Sequence, residues 1–275
     1  GPNIGNLFTN LQTFTANDFN NDGYPDQAVF NNSRVSILLG NGIGDFSISA
    51  NSATISSVPS LMCSADFNND GNNDVALSAA GNIYLFNGTG LGGLGSPSII
   101  ANYSGAQTLI DTGDLNNDGY IDLIMPALSA TGKVYVLLGS STGSFTSGAG
   151  FNGSSGIAFS AFNKADYNKD GKLDLIVNAG SNIYIFAGDG LGGLLGIGNI
   201  SGVGATCGLT SGDFNNDSNI DIAVSFPNMP SNLKIYSGNG AGSFSGSPFI
   251  SIASNNVNSI TSADYDNDGN LDIAL

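Results

Sequence analysis

These 275 residues contain no glutamate, no histidine and no tryptophan. Without glutamate or histidine, the chain lacks the side chains that most often move protons near neutral pH. Bases are almost as scarce. Arg34, Lys133, Lys164, Lys169, Lys172 and Lys234 stand against 22 aspartates, for a formal net charge of −16. Such a chain repels phosphate, which excludes nucleic acid and anionic membranes as partners. Two cysteines, Cys63 and Cys207, are too few for a disulfide framework and too far apart for a zinc motif. They read as two unbridged, buried thiols. No apolar run reaches the roughly 18 residues of a membrane span, so direct membrane insertion is not expected. No signal peptide is visible, but Gly1-Pro2 reads as a protease-cleavage scar that could follow a trimmed leader.

What is abundant is glycine, at 40 positions, together with Asn, Ser and Thr. This composition favours strands and turns over helices. One nonapeptide recurs six times: DFNNDGYPD from Asp18, DFNNDGNND from Asp66, DLNNDGYID from Asp114, DYNKDGKLD from Asp166, DFNNDSNID from Asp213 and DYDNDGNLD from Asp264. Successive starts lie 48, 48, 52, 47 and 51 residues apart, which leaves no room for an inserted domain. A period of this size signals stacked or radial architecture.

A short apolar run follows each nonapeptide, as in Gln27 to Phe30 or Leu175 to Val177, and a second run follows a polar turn, as in Val35 to Leu39 or Ile183 to Phe186. A glycine-rich turn comes next, GNGIGDF from Gly40 or GNGAGSF from Gly238, then a more polar segment. Each unit therefore holds about four short strands, the content of one propeller blade. The expected fold is all-β: a single β-propeller over residues 1–275 with blades of about 50 residues. A β-sandwich would also give short strands, but it has no reason to repeat one loop at a fixed interval.

The loop spacing suits calcium, which takes six to eight oxygens from alternate positions of a tight turn. In the first copy the expected ligands are Asp18, Asn20, Asp22, the backbone carbonyl of Tyr24, and Asp26. The corresponding sets are Asp66, Asn68, Asp70, Asn72 and Asp74; Asp114, Asn116, Asp118, Tyr120 and Asp122; Asp166, Asn168, Asp170, Lys172 and Asp174; Asp213, Asn215, Asp217, Asn219 and Asp221; and Asp264, Asp266, Asp268, Asn270 and Asp272. The seventh position varies widely, consistent with a backbone ligand whose side chain is irrelevant. The second is always apolar, reading as an anchor to the core. The sixth is glycine in five copies, as a turn at positive φ requires; Ser218 breaks the rule, so the fifth site is expected to be strained unless the turn adjusts.

An EF-hand opens in the same way but needs glutamate at position twelve, where this chain has Val29, Leu77, Met125, Val177, Val224 and Leu275. Ordinary hairpins also favour Asp, Asn and Gly, but they do not need aspartate at positions one, five and nine every time. Of the 22 acids, 19 sit in these loops, leaving Asp45, Asp111 and Asp189. Up to six calcium ions would bring the formal charge to about −4, ordinary for a soluble domain.

DFNNDGYPD followed by an apolar strand and then VSILLGNGIGDF resembles the FG-GAP and VCBS-type repeats of integrin α-subunit heads and secreted bacterial proteins, over nearly the whole chain. The resemblance implies a propeller, usually seven-bladed, with calcium held by the loop residues named above. Six copies are visible and the last stops after its first two strands. Either the N-terminal segment closes a six-bladed ring or, as favoured here, the native protein continues. The resemblance further implies a secreted or cell-surface recognition and adhesion module for a glycan or an extracellular protein. The alternative is a spacer that presents another part of a larger surface protein. A polysaccharide-lyase-type enzyme is a weaker reading, since short repeats leave little loop to build a cleft, and no catalytic residues are expected. Phe46, Phe145 and Phe244 recur at one position and read as core.

Overall fold

The computed structural model describes residues 13–103, 108–128, 131–153, 158–204, 208–226, 233–246, 250, 257 and 259–275. Among them all regular structure is β, and no helix is long and apolar enough to cross a membrane. Cys63 is buried; Cys207 lies outside the described residues.

Strands β1 (Thr13–Asn17), β2 (Asp26–Asn31), β3 (Arg34–Gly40) and β4 (Phe46–Thr54) form the first antiparallel sheet in simple sequential order. The second repeats the meander with β5 (Pro59–Ala65), β6 (Asp74–Ala79), β7 (Asn82–Phe86) and β8 (Ser98–Asn102). In the third, β9 (Asp111–Gly113), β10 (Asp122–Pro126), β11 (Lys133–Leu138) and β12 (Thr146–Ser147) follow one another, and β13 (Phe151–Asn152) also pairs with the start of β11. The fourth comprises β14 (Ala161–Ala165), β15 (Asp174–Ala179), β16 (Asn182–Gly188) and β17 (Leu194–Ile200). The fifth comprises β18 (Gly208–Gly212), β19 (Asp221–Ser225), β20 (Leu233–Gly238) and β21 (Phe244–Gly246), and β22 (Thr261–Ala263) pairs with β23 (Asp272–Ala274) alone.

Two compact units result, Gly1–Asp114 with Asp118–Ala127 and Tyr135–Ser147, and Leu115–Asn117 with Leu128–Val134 and Gly148–Leu275. The second strand of each sheet is its most buried. All six residues of β6 and of β15, and all five of β10 and of β19, are buried. Burial on both faces explains why these strands read as continuous apolar runs, while β3 and β16 alternate in part.

In the first unit, Phe19, Phe30, Ile37, Met62 and Leu77 share one apolar cluster, and Phe67, Ile83, Leu123 and Met125 share another. In the second unit, Tyr167, Ile176, Ile185, Ile222 and Phe226 pack together. The anchors at the second loop position therefore do reach the core in the first four copies, through Phe19, Phe67, Leu115 and Tyr167. They do not in the last two, where Phe214 is half-buried and Tyr265 is 54% exposed.

The reason is visible at the seams. The ring of Phe67 is met edge-on by Phe145 at 5.9 Å, and Tyr167 by Phe244 at 5.8 Å, each from the glycine-rich turn of the following sheet. Among the described residues no such ring follows Phe214 or Tyr265. Phe145 and Phe244 are accordingly half-buried seam residues, and Phe46 is half-buried too, so none of the three is deep core.

Candidate metal centre

Each nonapeptide joins the first and second strands of its sheet, and its ninth residue opens the second strand. The loops share one backbone geometry. At position four, φ is +60° at Asn21, +56° at Asn69, +57° at Asn117, +60° at Lys169, +58° at Asn216 and +60° at Asn267. Asparagine tolerates this left-handed region better than most residues, and five of the six copies use it. That requirement was readable from the recurring asparagine but is absent from the ligand pattern alone.

At position six the glycines have φ between +82° and +88°, and Ser218 follows them to +70°. The turn does not adjust for serine; serine takes up the strained conformation. Its amide still donates to Asp213 Oδ2 at 2.7 Å, as the Gly23 amide does to Asp18 Oδ2 at 2.8 Å.

Hydrogen bonds gather the side-chain oxygens of positions one and three on the same side of the loop. The Asp70 amide donates to both Asp66 Oδ1 (3.1 Å) and Asn68 Oδ1 (2.9 Å). The same fork recurs at Asp22, Asp170, Asp217 and Asp268. In the third loop the Asp118 amide donates to Asp114 Oδ1 at 3.2 Å. The position-five carboxylate then accepts from the amide of position seven, as in Tyr24 N to Asp22 Oδ1 at 2.9 Å. In the last loop, where position three is also aspartate, Asp264, Asp266 and Asp268 each bring a carboxylate oxygen within 4.8 Å of the others.

Position nine is different. Asp26, Asp74, Asp122, Asp174 and Asp221 are buried, whereas Asp272 is only half-buried. Asp26 Oδ2 accepts from the Phe19 amide at 2.9 Å, and Oδ1 from the Gly40 amide at 2.7 Å. The bond to the strand-end glycine recurs from Gly88, Gly139, Gly188 and Gly238 at 2.7 to 2.9 Å. This aspartate thus ties the loop's entrance to the end of the third strand. Only glycine fits there, since a Cβ on Gly40 would run into the Pro25 carbonyl oxygen, and on Gly188 into that of Leu173. The strap was missed in the sequence because its glycine lies 14 or 17 residues away. In Asp26 each oxygen uses one lone pair on an amide and keeps another available, whereas Asp174 Oδ2 accepts from both the Tyr167 and Asn168 amides at 2.9 and 3.2 Å.

Burial is the main cause that raises Asp74 to about 6, with Asp70 and Asp66 adding to it and the Gly88 and Phe67 amides opposing it. Burial likewise raises Asp174 and Asp221. Asp268 is lowered, chiefly by the Asn270 amide.

The seventh position also does more than present a carbonyl. Asn21 Nδ2 donates to Asn72 Oδ1 at 3.0 Å, and Asn216 Nδ2 to Asn270 Oδ1 at 2.7 Å, so position four of one loop holds position seven of the next. The side chain there is not indifferent, contrary to the sequence reading. Asn73 Nδ2 adds a bond to the Asp18 carbonyl at 2.6 Å.

Hard anionic and amide oxygens on alternate residues of a tight turn are the donor set calcium prefers, and the forks hold them on one side. Asp, Asn and Asp at positions one, three and five, the carbonyl of position seven and the ninth-position aspartate fit that ion.

Among solved structures the chain is similar to an Agrocybe aegerita lectin described as recognising non-reducing terminal N-acetylglucosamine, at 16% identity and a TM-score of 0.65, over 90% of this chain and 68% of that one. It is similar too to a Lactobacillus plantarum protein at 14% identity and a TM-score of 0.65, over 88% of this chain and 71% of that one. No curated protein matches it significantly in sequence. The fold is a β-propeller built of four-stranded antiparallel blades. FG-GAP-like repeats match residues 18–77, 66–125, 166–224 and 213–275, so that every nonapeptide falls inside a matched segment, and the chain belongs to the FG-GAP-like repeat family.

Proposed function

We propose that this chain is a calcium-stabilised, non-catalytic recognition and adhesion module, secreted or displayed at a cell surface, that binds a glycan or a protein. The observation that carries the reading is the same oxygen-gathering loop built six times, with 19 of 22 aspartates committed to it. In each loop the five residues named above would hold one ion, up to six in all. Bound calcium would neutralise carboxylates that otherwise repel one another.

Extracellular calcium fills even weak sites of this type, which suits a surface setting. Two of the three acids outside the loops accept backbone amides: Asp189 Oδ1 from Leu191 and Gly193 at 2.7 and 2.8 Å, and Asp111 Oδ1 from Thr112 at 2.8 Å. The likeness to a sugar-binding protein puts glycans first among the ligands to test.

The test is a glycan array probed with the calcium-loaded protein, after chelation, and after refilling, with thermal melts alongside. The expected result is a melting temperature that drops by more than about 10 °C on chelation and recovers on refilling, with array binding that follows it. An unchanged melt in chelator refutes calcium stabilisation. Calcium-independent binding would separate ligand recognition from the metal, and an empty array would direct the search to protein ligands by pull-down.

A further inference from the structure

One backbone contact recurs in the first four blades, just past β4, β8, β13 and β17. The amides of Ile55, Tyr103, Gly153 and Val203 donate to the carbonyls of Ser33, Gly81, Gly132 and Ser181, at 3.1, 2.7, 3.0 and 2.8 Å. These four residues therefore occupy one equivalent place in successive blades. A second equivalent set lies on the third strands, where NIYLF from Asn82, KVYVL from Lys133 and NIYIF from Asn182 put tyrosine at the same step.

The two sets meet across the blade seams within the first unit. Ile55 and Tyr84 belong to one apolar cluster. The ring of Tyr103 stacks on Tyr135 at a centroid distance of 4.0 Å and an interplanar angle of 24°. The next pair in the series lies within the second unit and combines Tyr184 with Gly153, which has no ring to offer. A cavity of about 370 Å³ opens there, lined by Phe151, Phe159, Tyr184 and Phe186, with Gly153 and Gly196 at its walls.

Gly196 matters as much as Gly153. It pairs with Phe186 as Ile48 pairs with Leu38 in the first blade, so the first blade has a branched side chain where the fourth has none. The fifth blade also has a glycine at this step, Gly246 opposite Tyr236, but there Lys234 reaches over the Tyr236 ring, Nζ 4.8 Å from its centroid. In the fourth blade no lysine covers the gap: Phe151 packs on Phe186 at a centroid distance of 4.5 Å, and the space beside Tyr184 stays open.

We propose that this cavity is a slot for one aromatic ring presented by a partner protein or peptide, which takes against Tyr184 the place that Tyr103 takes against Tyr135. The lining favours an aromatic ring over a pyranose. Its lining is Phe, Tyr, Ile185 and glycine, with Asn152 the one amide side chain, whereas a sugar needs several placed polar partners. Size agrees, since pockets for small ligands begin at about 300 Å³.

The experiment uses the calcium-loaded full chain and saturation-transfer NMR with N-acetyl-tyrosinamide and p-cresol as probes and a methyl pyranoside as the contrast. Saturation is expected on the aromatic probes and not on the pyranoside. It should fall at least fivefold in Gly196→Ile, which copies Ile48, and in Tyr184→Ala. A Cβ on Gly196 would rest 3.8 Å from the Phe186 ring, an ordinary contact, so Gly196→Ile should melt within a few degrees of the parent.

Absence of transfer to either aromatic probe overturns the proposal. So does transfer that survives in a folded Gly196→Ile, or preference for the pyranoside. This site is separate from the array question: glycan binding untouched by Gly196→Ile, together with silent aromatic probes, would remove the slot and leave the recognition reading standing.

Discussion

Replacing Ser218 with glycine should stabilise the protein, and the amount can be worked from the loop. Ser218 lies at φ +70°, and the five equivalent glycines lie between +82° and +88°. A Cβ placed on Gly23, Gly71, Gly119, Gly171 or Gly269 would meet nothing within 4 Å. Sterics with neighbours therefore contribute nothing, and the penalty at Ser218 is the intrinsic one for a left-handed residue, about 1–2 kcal/mol. Glycine returns roughly 0.4–1 kcal/mol of this through the greater freedom of the unfolded chain. The net gain is about 0.5–1 kcal/mol, or roughly 1–4 °C in melting temperature for a chain of this size. The reverse change, Gly171→Ser, should cost about the same. If serine also holds the empty loop away from its binding geometry, Ser218→Gly will raise the affinity of one site about two- to fivefold in a calorimetric calcium titration. Melts in saturating calcium provide the primary assay. A Ser218→Gly variant that melts lower than the parent, with Gly171→Ser unchanged, would refute the reasoning, because it would mean that the serine hydroxyl contributes more than the backbone conformation costs.

Gly40→Ala should be far more damaging, at about 3 kcal/mol or more, since its Cβ meets the Pro25 carbonyl and the Gly40–Asp26 bond must be displaced to make room. A chemical denaturation midpoint within error of the parent would count against the strap. In chelator, stability should decline as pH rises from about 4 to above 6. The sign follows from Asp74, raised from 3.8 to about 6 in the folded chain: its contribution is full below the unfolded value and is lost as pH passes the folded one. Asp174 and Asp221 are raised in the same direction. In calcium the trend should reverse below pH 6, because protons and the cation compete for these carboxylates. Urea titrations at several pH values, with and without calcium, would reveal a wrong sign at once.

Much of the fold was legible because it repeats. A loop that recurs at intervals of 47 to 52 residues fixes the blade length, and the apolar runs on either side fix the second and third strands. What the sequence could not carry were contacts between residues distant in the chain. The Asp26–Gly40 strap, the Asn21–Asn72 bond and the Phe67–Phe145 seam span 14, 51 and 78 positions, and no local pattern records them. The reading of position seven as a silent side chain failed for that reason: variation among Tyr, Asn and Lys looked like indifference, whereas Asn72 and Asn270 each accept a bond from the preceding loop. The anchors are buried in four copies and not at Phe214 and Tyr265, where, among the described residues, no ring of a following blade adds to the packing as Phe145 and Phe244 do at Phe67 and Tyr167.

The ninth-position aspartate is where the proposed metal site meets the fold. Its carboxylate is buried and bonded to two amides, one from its own loop and one from the end of the third strand. A negative charge held there without a cation is costly, and this shows as the rise of Asp74. Calcium shared by the oxygens of positions one, three, five and nine would lower that cost and keep the carboxylate ionised, the form that accepts both amides. Loading the loop would thereby tighten the first three strands of its blade. The anchor at position two and the asparagine at position four extend the coupling to the next blade, Phe67 through Phe145 and Asn21 through Asn72. Coupled sites of this kind should not fill independently. Removing one position-one carboxylate, as in Asp66→Ala, should therefore weaken calcium binding at neighbouring loops as well as at its own.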